Sequence, residues 1–440
     1  MQETKVLTNR VGRYEPLDLD AYKALGGLQG LRQALAGKPE LVIEQIKASG
    51  LTGRGGAGFP TGLKWAFAAQ QKQQPKYFIC NADEGELGTF KDKVLLDGDP
   101  WLVLEGILIA AYAIGAEQAY IYIKSEYKKT VRLWEKLAAH AKKAGLLGKK
   151  ILGSTPLAAG LQVVRARGPY IAGEEFALIA SLEARRAMSR IKPPYPSEVG
   201  LFGKPTVVNN VETIANIPAI MAIGPDAYRK TGVVDDPGTR LFSLSGDVKK
   251  SGVYELEMGA GTLQELIDEF GGGTTNGRPI KAVQPGGGTS PFLAGDSLGC
   301  KLTTQSIREA GSSIGTAAVI VYEQGRSAVD IVKGLLDFYG VESCGRCAPC
   351  RLGAIKMKQI IRRLLTGKGA AENLQQLRQI GKASVAASTC GMGQAFPLPV
   401  LSALELFPED FEAAVVKSRD REFSGRRNGD PKLPYRSGLT

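Results

Sequence analysis

Short apolar runs and longer amphipathic stretches alternate along the first half of the chain. Short runs rich in β-branched and aromatic residues predict strands, whereas longer segments with apolar residues at helical spacing predict helices. By this criterion the strands fall at 76–81, 118–124 and 161–165, and helices fall at about 100–114 and 128–144. Strands that alternate with helices indicate an α/β domain that reaches to about residue 235.

The pattern changes at residue 239. Short strand-like runs then surround a single predicted helix at 262–270, which indicates a small β-rich module. These runs fall at 241–246, 253–256, 282–284 and 317–322. From about residue 326 to 415 the pattern is helical throughout. The sequence therefore predicts a multidomain α/β fold divided into segments 1–238, 239–325, 326–416 and 417–440.

The composition is that of an ordinary globular protein. The 440 residues are 43% hydrophobic, which is enough to form several buried cores. The longest apolar stretch, 101–116, is interrupted by Glu105 and is too short to cross a bilayer. The segment MQETKVLTNR has no apolar signal core. We therefore expect a soluble, cytoplasmic protein that would reach a membrane only through partners, on its inner face.

The chain carries a net charge of +12. A basic balance suits nucleic acid, an anionic membrane or an acidic protein partner. The sequence contains no nucleic-acid-reading motif, and residues 417–436 hold seven Lys or Arg against three Asp or Glu. We interpret that tail as a solvated or partner-wrapping extension. The single histidine, His140, is predicted at the surface, which argues against histidine-based catalysis.

Four of the six cysteines form a pattern typical of metal ligands. Cys344, Cys347 and Cys350 are separated by two residues each, and Cys390 follows downstream. Three thiolates at this spacing with one remote thiolate favour a cubane 4Fe–4S cluster. A structural zinc site is the alternative, although zinc sites usually show two separate CxxC pairs. Disulfides are disfavoured in so long a chain without a secretory signal.

A glycine-rich loop at 53–65 is the second candidate site. Gly53, Gly55 and Gly58 satisfy a GxGxxG pattern, but a dinucleotide-binding fold needs a strand before it and a helix after it. A helical pattern precedes this loop, and Pro60 and Gly62 discourage an immediate helix. The ordinary Rossmann interpretation is therefore rejected.

The same loop can still hold an anion. Glycines let backbone N–H groups approach a phosphate closely, and we expect Arg54 and Lys64 to add positive charge. A plain surface loop is the alternative. The acid-rich segment 81–86 follows a predicted strand end, where α/β proteins place ligand-binding loops. Its carboxylates would bind ribose hydroxyls or merely cap the next helix, and both interpretations stay open.

Taken together, these segments resemble one family: the NADH-oxidising flavin subunit of respiratory complex I, with relatives in NAD-linked hydrogenases, formate dehydrogenases and electron-bifurcating complexes. The resemblance covers about residues 40–415, with the motifs in the same order. The matching segments are GRGGAGFPTGLKW (53–65), CNADEGELGTFKD (80–92), YIAGEE (170–175), KPPYP (192–196), GKPTVVNNVET (203–213) and ESCGRCAPCR (342–351).

The resemblance implies three modules: an FMN-binding α/β domain, a ubiquitin-like β-grasp (SLBB-type) module and a C-terminal helical bundle with a 4Fe–4S cluster on the four cysteines. The FMN-binding residues it implies are Gly53, Gly55, Lys64, Asn81, Asp83, Tyr170, Gly173, Glu174, Asn209, Asn210 and Thr213. NADH would lie over the flavin, with Phe59, Phe67 and Tyr195 as aromatic faces. Glu86, Glu175 and Lys192 would contact the nicotinamide end or the ribose groups.

The resemblance also implies an activity. Hydride would pass between NADH and FMN, with Lys64 stabilising reduced flavin, and single electrons would pass through the cluster to partner subunits. The expected partners are a thioredoxin-like 2Fe–2S subunit and a larger iron–sulfur subunit. Glu175 would repel a 2′-phosphate, so NADH is preferred over NADPH. The alternative is a flavin-free relay or scaffold subunit, and the terminal acceptor, direction and bifurcation stay open.

Overall fold

The computed structural model describes residues 1–148, 151–152 and 160–415. The predicted basic tail at 417–440 lies outside the described residues. Four helices flank the glycine-rich loop along the chain: α1 (Leu19–Ala24), α2 (Gln29–Ala36) and α3 (Pro39–Ala48) precede it, and α4 (Thr61–Ala69) follows it. No helix of the described residues is long and apolar enough to span a bilayer.

A parallel sheet with helices forms the rest of the first half. Its elements are β1 (Lys76–Ala82), α5 (Lys91–Gly98), α6 (Pro100–Ile114), β2 (Ala116–Ile123), α7 (Lys128–Lys143), β3 (Gly160–Arg165), α8 (Glu175–Leu182), β4 (Thr206–Asn210), α9 (Val211–Ile223) and α10 (Pro225–Tyr228). The strand order is β3-β2-β1-β4, and all three strand pairs are parallel. The three strands predicted from apolar runs are confirmed, whereas β4 was not predicted.

Helix α6 forms the centre of the largest apolar core. Pro100 occupies its first turn, the Asp99 side chain caps its N-terminus and Gly115 ends it at φ +69°. Nearly every residue of α6 is buried, as expected for a helix that is apolar on all sides. Its one acid, Glu105, accepts hydrogen bonds from the backbone N–H groups of Leu28 (2.8 Å) and Leu31 (2.9 Å).

The start of α4 corrects one prediction. The helix begins at Thr61, directly after Pro60, whereas Pro60 and Gly62 were expected to prevent an immediate helix. Proline is tolerated there because the first N–H groups of a helix need no intrahelical partner. Gly62 has a packing role, since a Cβ at this position would lie 2.5 Å from the backbone nitrogen of Lys47 in α3.

The second sheet belongs to the β-rich middle segment. Its elements are the short β5 (Gly232–Val233) and β6 (Asp236–Pro237), then β7 (Thr239–Gly246), β8 (Gly252–Glu257), α11 (Leu263–Glu265), β9 (Ile280–Gln284), α12 (Thr304–Glu309) and β10 (Ala318–Glu323). The strand order is β8-β7-β10-β9, with β7 and β10 parallel and the outer pairs antiparallel. A π-helical turn, Leu266–Phe270, extends α11, so the strands and the helix predicted here are confirmed, whereas the second helix, α12, was not predicted.

The C-terminal part is helical, as predicted. It contains α13 (Ala328–Glu342), α14 (Ala348–Leu365), α15 (Ala371–Ala387), α16 (Gly391–Ala395) and α17 (Leu398–Leu406). One apolar cluster joins these helices and also includes Ile171 from the first half and Phe292 from the middle segment. The helical part is therefore packed against both other parts of the chain.

Candidate functional site

The parallel sheet brings two predicted ligand segments to one edge. Strands β1 and β4 are neighbours, and Cys80 and Asn81 pair with Asn209 and Asn210 in register. All three asparagines therefore lie at the carboxyl ends of adjacent parallel strands. In open α/β sheets this is the edge at which ligands bind.

The glycine loop is held against this edge by two contacts. The backbone N–H of Arg54 donates to the Thr213 hydroxyl at 2.8 Å. A Cβ added to Gly55 would lie 2.9 Å from Asn210 Cβ, so only glycine fits there without movement. Within the loop, the Gly53 N–H donates to the Phe59 carbonyl oxygen at 2.9 Å. The loop thus closes on itself and presents its backbone beside the sheet edge.

The Arg54 side chain does not contribute to this surface. It is fully buried, pairs with Asp236 at 3.3 Å and donates to the carbonyl oxygen of Pro237 at 2.9 Å. The expectation that Arg54 adds charge for an anion at the loop is wrong. Its guanidinium points to the segment that leads into β7, because a buried cation needs a carboxylate and carbonyl partners.

Asn81 joins the sheet edge to the turn at 170–173. Its side-chain amide donates to the Gly173 carbonyl oxygen at 2.8 Å and accepts from the Asp83 N–H at 3.1 Å. A Cβ on Gly173 would lie 3.3 Å from the Asp83 carbonyl oxygen. One carboxylate oxygen of Asp83 is buried and finds no hydrogen-bond partner among the described residues. Burial raises the pKa of Asp83 to about 7.

A group of four charged side chains lies beside the sheet. The Lys64 ammonium pairs with Glu175 and donates to the Val208 carbonyl oxygen at 3.1 Å. Lys192 pairs with Glu175 at 2.9 Å and with Glu174 at 3.4 Å. Burial raises the pKa of Glu175, but Lys64 and Lys192 outweigh burial and hold this pKa at about 2. Glu175 is therefore a carboxylate at every pH at which the protein would be studied.

The three predicted aromatic faces are all exposed. Phe59, Phe67 and Tyr195 have 43%, 44% and 53% of their surface accessible, which is unusual for large apolar side chains. Phe67 follows Lys64 by three positions on α4, so both lie on the same side of that helix. Trp65, in contrast, is buried and donates to the Asn209 side chain at 2.9 Å. The fold thus leaves aromatic surface accessible next to the ion-paired lysine.

Glu86 has surroundings that the sequence did not suggest. Its carboxylate is buried and accepts from the hydroxyls of Tyr170 and Tyr339 (2.9 Å to the latter). It also accepts from the Thr289 N–H at 3.0 Å and, more weakly, from the Thr289 hydroxyl. Burial raises the pKa of Glu86, although these hydrogen bonds oppose the shift. The contact between Glu86 and the nucleotide stays a prediction, and it requires Glu86 to lose one of these hydrogen bonds.

The four predicted ligand cysteines come together in the helical part. Cys347 immediately precedes α14, Cys350 lies in its first turn and Cys390 immediately precedes α16. Burial, together with charge repulsion from Cys347, Cys390 and Cys344, raises the pKa of the Cys350 thiol to about 11 against the opposing hydrogen bond with Ser343. Their sulfurs are thus near enough to interact. Cys80 is buried in the sheet and lies apart from these four cysteines in the fold, on β1.

Hydrogen-bond donors lie close to the cysteine thiols. Among the described residues, no three His, Cys, Asp or Glu side chains are placed to hold one metal ion. Hydrogen bonds from Thr389, from the Cys350 backbone and from Ser388 outweigh burial and lower the pKa of Cys347. Partly buried thiols with hydrogen-bond donors nearby are suitable ligands for an iron–sulfur cluster.

Three residues behind the sheet edge were missed from the sequence. The Lys91 ammonium is buried and lies 2.7 Å from both Asp92 and Glu212. Asp92 in turn accepts from the Asn210 side chain at 2.6 Å. These ion-paired side chains hold the Asn210 side chain in position, so they support the site indirectly. The only local signal was the charged pair that ends the segment 80–92.

Comparison with known proteins is consistent with this arrangement. The family model described as "Nuo51 FMN-binding domain" matches residues 46–219, and "NADH-ubiquinone oxidoreductase-F iron-sulfur binding region" matches residues 330–414. The two matches contain the sheet-edge site and all four clustered cysteines, respectively.

Two relatives cover nearly the whole chain. The F 2 subunit of the NADH-quinone oxidoreductase of Rhizobium meliloti (strain 1021) is 42% identical over 402 residues, which are 91% of this chain and 95% of the relative. The HndC subunit of the NADP-reducing hydrogenase of Solidesulfovibrio fructosivorans is 39% identical over 414 residues, 94% of this chain and 84% of the relative. Among solved structures, an NAD+-reducing NiFe-hydrogenase in the H2-reduced state superposes with a TM-score of 0.81 at 30% identity. That match covers 97% of this chain and 72% of the hydrogenase chain.

Proposed function

Because the chain belongs to the family of the F subunits of NADH-quinone oxidoreductases, we propose that it is the flavoprotein subunit of a redox complex. It oxidises NADH, or reduces NAD+, at FMN and passes single electrons through one 4Fe–4S cluster to partner subunits. One observation carries this proposal most directly. The glycine loop, both β4 asparagines and Gly173 converge on the carboxyl edge of one parallel sheet.

FMN is held at that edge. The loop backbone at Gly53 and Gly55 lies beside it, and glycine permits the close approach that a phosphate needs. The unpartnered oxygen of Asp83 is free to accept a hydrogen bond from a ligand N–H or O–H. The remaining proposed contacts are Lys64, Asn81, Tyr170, Gly173, Glu174, Asn209, Asn210 and Thr213.

The nicotinamide dinucleotide binds on the exposed side of the same site. Bound FMN would supply a hydride acceptor that is able to release electrons one at a time, so the protein itself needs only to bind and orient the nucleotide. Phe59, Phe67 and Tyr195 offer exposed rings for stacking. Lys64 is held beside the sheet edge by Glu175 and the Val208 carbonyl oxygen, where its ammonium would stabilise negative charge on reduced flavin.

The charged group favours NADH over NADPH. Glu174 and Glu175 place two carboxylates next to Lys192, and a carboxylate near the adenosine ribose repels a 2′-phosphate. The Solidesulfovibrio relative is named for the reduction of NADP. The preference for NADH therefore cannot be taken from the relatives and must be measured for this chain. We expect kcat/KM to be at least about tenfold higher with NADH, because one unfavourable contact of about 1.4 kcal/mol has that effect. Equal values for the two nucleotides would contradict the role of these glutamates.

Each module has its own proposed function. We assign residues 1–238 to FMN and nucleotide binding, 239–325 to the β-grasp module and 326–416 to the cluster, with Cys344, Cys347, Cys350 and Cys390 as its ligands. The middle part has an apolar cluster of its own, which supports this division, whereas the cluster of the helical part also includes Ile171 and Phe292. The partners are a thioredoxin-like 2Fe–2S subunit and a larger iron–sulfur subunit. The protein works in the cytoplasm and reaches the inner face of the membrane only through such partners.

One experiment tests the proposal. The full chain, purified with its partners under anaerobic conditions, should show a flavin absorption band that NADH bleaches, with four irons per chain in addition to the partners' iron. A preparation with iron but without flavin would favour the flavin-free relay subunit instead. A flavin band that NADH leaves unchanged would contradict the proposed nucleotide site.

A further inference from the structure

Two buried serine hydroxyls lie beside the ligand cysteines. The first belongs to Ser343, which directly follows α13, and it lies 3.3 Å from the Cys350 sulfur. Either atom is able to donate in this pair while the cysteine is a free thiol. A cysteine that binds iron has lost its proton, so the serine hydroxyl is then the donor. Once Cys350 is a ligand, this contact is therefore a hydrogen bond from Ser343 to the sulfur.

Ser388 supplies the second hydroxyl. It directly follows α15 and is buried, and its hydroxyl makes no hydrogen bond to an oxygen or nitrogen among the described residues. A Cβ on Gly393 would lie 3.0 Å from this hydroxyl and 3.1 Å from Cys350 Cβ, so the hydroxyl and the Cys350 side chain are close neighbours. Ser388 also acts on Cys347 as a hydrogen-bond partner. Buried hydroxyls normally have a partner, and ligand sulfur is the acceptor that lies near this one.

Hydrogen bonds fix the main chain of both serines. Arg351 donates to the Ser343 carbonyl oxygen at 3.3 Å, and the Ser343 N–H donates to the Tyr339 carbonyl oxygen at 3.1 Å. The Gln394 side chain donates to the Ser388 carbonyl oxygen at 3.0 Å. The fold therefore places the two hydroxyls before a ligand binds to the cysteines, and preorganised donors of this kind cost no reorganisation when charge develops beside them.

Donors at these sulfurs favour the reduced state of a cluster. Reduction by one electron adds one negative charge to the four thiolates and the core that they hold, and hydrogen bonds to the sulfurs are among the factors that set the reduction potential. A donor interacts more strongly with the more negative state, so it raises this potential. Helix α14 acts in the same direction, because Cys347 is its N-terminal cap and the N-terminal end of a helix dipole favours negative charge.

We propose that the hydroxyls of Ser343 and Ser388 donate hydrogen bonds to the ligand sulfurs, raise the reduction potential of the cluster and thereby favour the transfer of single electrons from reduced FMN. The proposal rests on the proposed function, because it requires the four cysteines to hold a 4Fe–4S cluster. Both serines act through the ligand cysteines and are therefore positioning residues, not ligands.

Alanine variants of the full chain, purified with its partners, test this role. The cluster signal is identified in low-temperature electron paramagnetic resonance spectra as the one that Cys347→Ser removes, and its midpoint potential is measured by anaerobic titration with dithionite. Ser343→Ala and Ser388→Ala should each lower the ratio of reduced to oxidised cluster at a fixed potential about tenfold, which corresponds to a midpoint potential about 59 mV lower for a one-electron couple. The double variant should lower this ratio about a hundredfold, because the two donors act independently.

Ser384→Ala is the matched control. Ser384 is also buried and lies on α15, but its hydroxyl donates to the Pro349 carbonyl oxygen at 2.9 Å and not to a sulfur. We expect this variant to lower the thermal midpoint and to leave the reduction potential of the cluster unchanged. Iron content and bleaching of the flavin band by NADH should match the parent in all the serine variants.

These readouts separate the two proposals. A parent chain whose cysteines hold no iron would contradict the proposed function. A parent with the cluster signal, together with unchanged potentials in Ser343→Ala and Ser388→Ala, would overturn the role of the serines alone. An equal shift of the potential in Ser384→Ala, or loss of iron from Ser343→Ala and Ser388→Ala, would also overturn it, because the hydroxyls would then support the fold and not the potential.

Discussion

Replacing Gly55 with alanine tests the packing of the glycine loop against the sheet edge. The new methyl group would lie 2.9 Å from Asn210 Cβ and 3.6 Å from its Cγ, whereas nine in ten real Cβ contacts exceed 3.4 Å. The loop and Asn210 must therefore separate by about 0.5 Å, a shift that follows from the 2.9 and 3.4 Å distances. Overpacking of this kind costs about 1–3 kcal/mol.

Asn210 is poorly able to absorb this shift. Its side-chain amide donates to Asp92 at 2.6 Å, and its oxygen accepts from the Glu212 N–H at 3.1 Å as the cap of α9. The loop must move instead, and its movement stretches the hydrogen bond of 2.8 Å from the Arg54 N–H to Thr213. Losing that bond costs about 1 kcal/mol. Since FMN binding must restore the parent position of the loop, the lower end of this sum, about 2 kcal/mol, predicts about thirtyfold weaker binding of FMN.

The assay is the Kd of FMN for flavin-depleted protein, measured by quenching of flavin fluorescence, together with flavin retained after desalting. Gly299→Ala is the control, because a Cβ there meets nothing within 4 Å and the backbone is not left-handed. Gly53→Ala separates protein packing from ligand packing, since its Cβ would meet only Phe59 backbone atoms, at 3.5 and 3.7 Å. An unchanged Kd in Gly55→Ala would refute the inference that this loop position governs the site.

Three further predictions address the other parts of the structure. Cys347→Ser should lose cluster iron but keep flavin and part of its NADH–ferricyanide activity, whereas Cys300→Ser should keep both; complete loss of flavin in Cys347→Ser would contradict separate modules. The pKa of Asp83 is about 7 in the folded protein against an ordinary 3.8, so the folded state binds its proton more tightly and stability falls as pH rises between these values. Asp83→Asn should remove that fall and raise the thermal midpoint above that of the parent at pH 8, which a pH series of melting curves would check. Glu86→Gln should lower the thermal midpoint by the equivalent of about 1–3 kcal/mol and raise the KM for NADH; an unchanged KM would contradict the predicted contact between Glu86 and the nucleotide.

The sequence predicted most elements because their signals are local. Apolar runs predicted β1, β2 and β3 within two residues at either end, and the helical pattern after residue 326 was correct. Strand β4 was missed because Thr206–Asn210 is short and ends in two asparagines, residues that are depleted in strands. Its pairing with β1, a long-range interaction, is what makes it a strand.

The wrong predictions at the glycine loop also arise because local sequence rules do not include long-range contacts. Local rules treat Pro60 and Gly62 as helix breakers, yet the close approach of α3 makes glycine the residue that fits there. Local chemistry likewise assigned Arg54 to an anion, but Asp236, which lies 182 positions away, pairs with it in the core. Residue type told us what these side chains are able to do, whereas tertiary packing decided which of those interactions they make.

Glu86 shows how this limit bears on function. A run of acids after a strand predicts a ligand loop, and Asn81 and Asp83 of the same segment do lie at the sheet edge. Glu86, only a few residues later, is bound by Tyr339 from α13 and by Thr289 from the middle segment. Tyr170, beside the proposed flavin site, donates to the same carboxylate. The buried Glu86 carboxylate therefore joins all three parts of the chain. The distance between the proposed flavin and cluster sites depends on these hydrogen bonds, which no single segment of the sequence encodes.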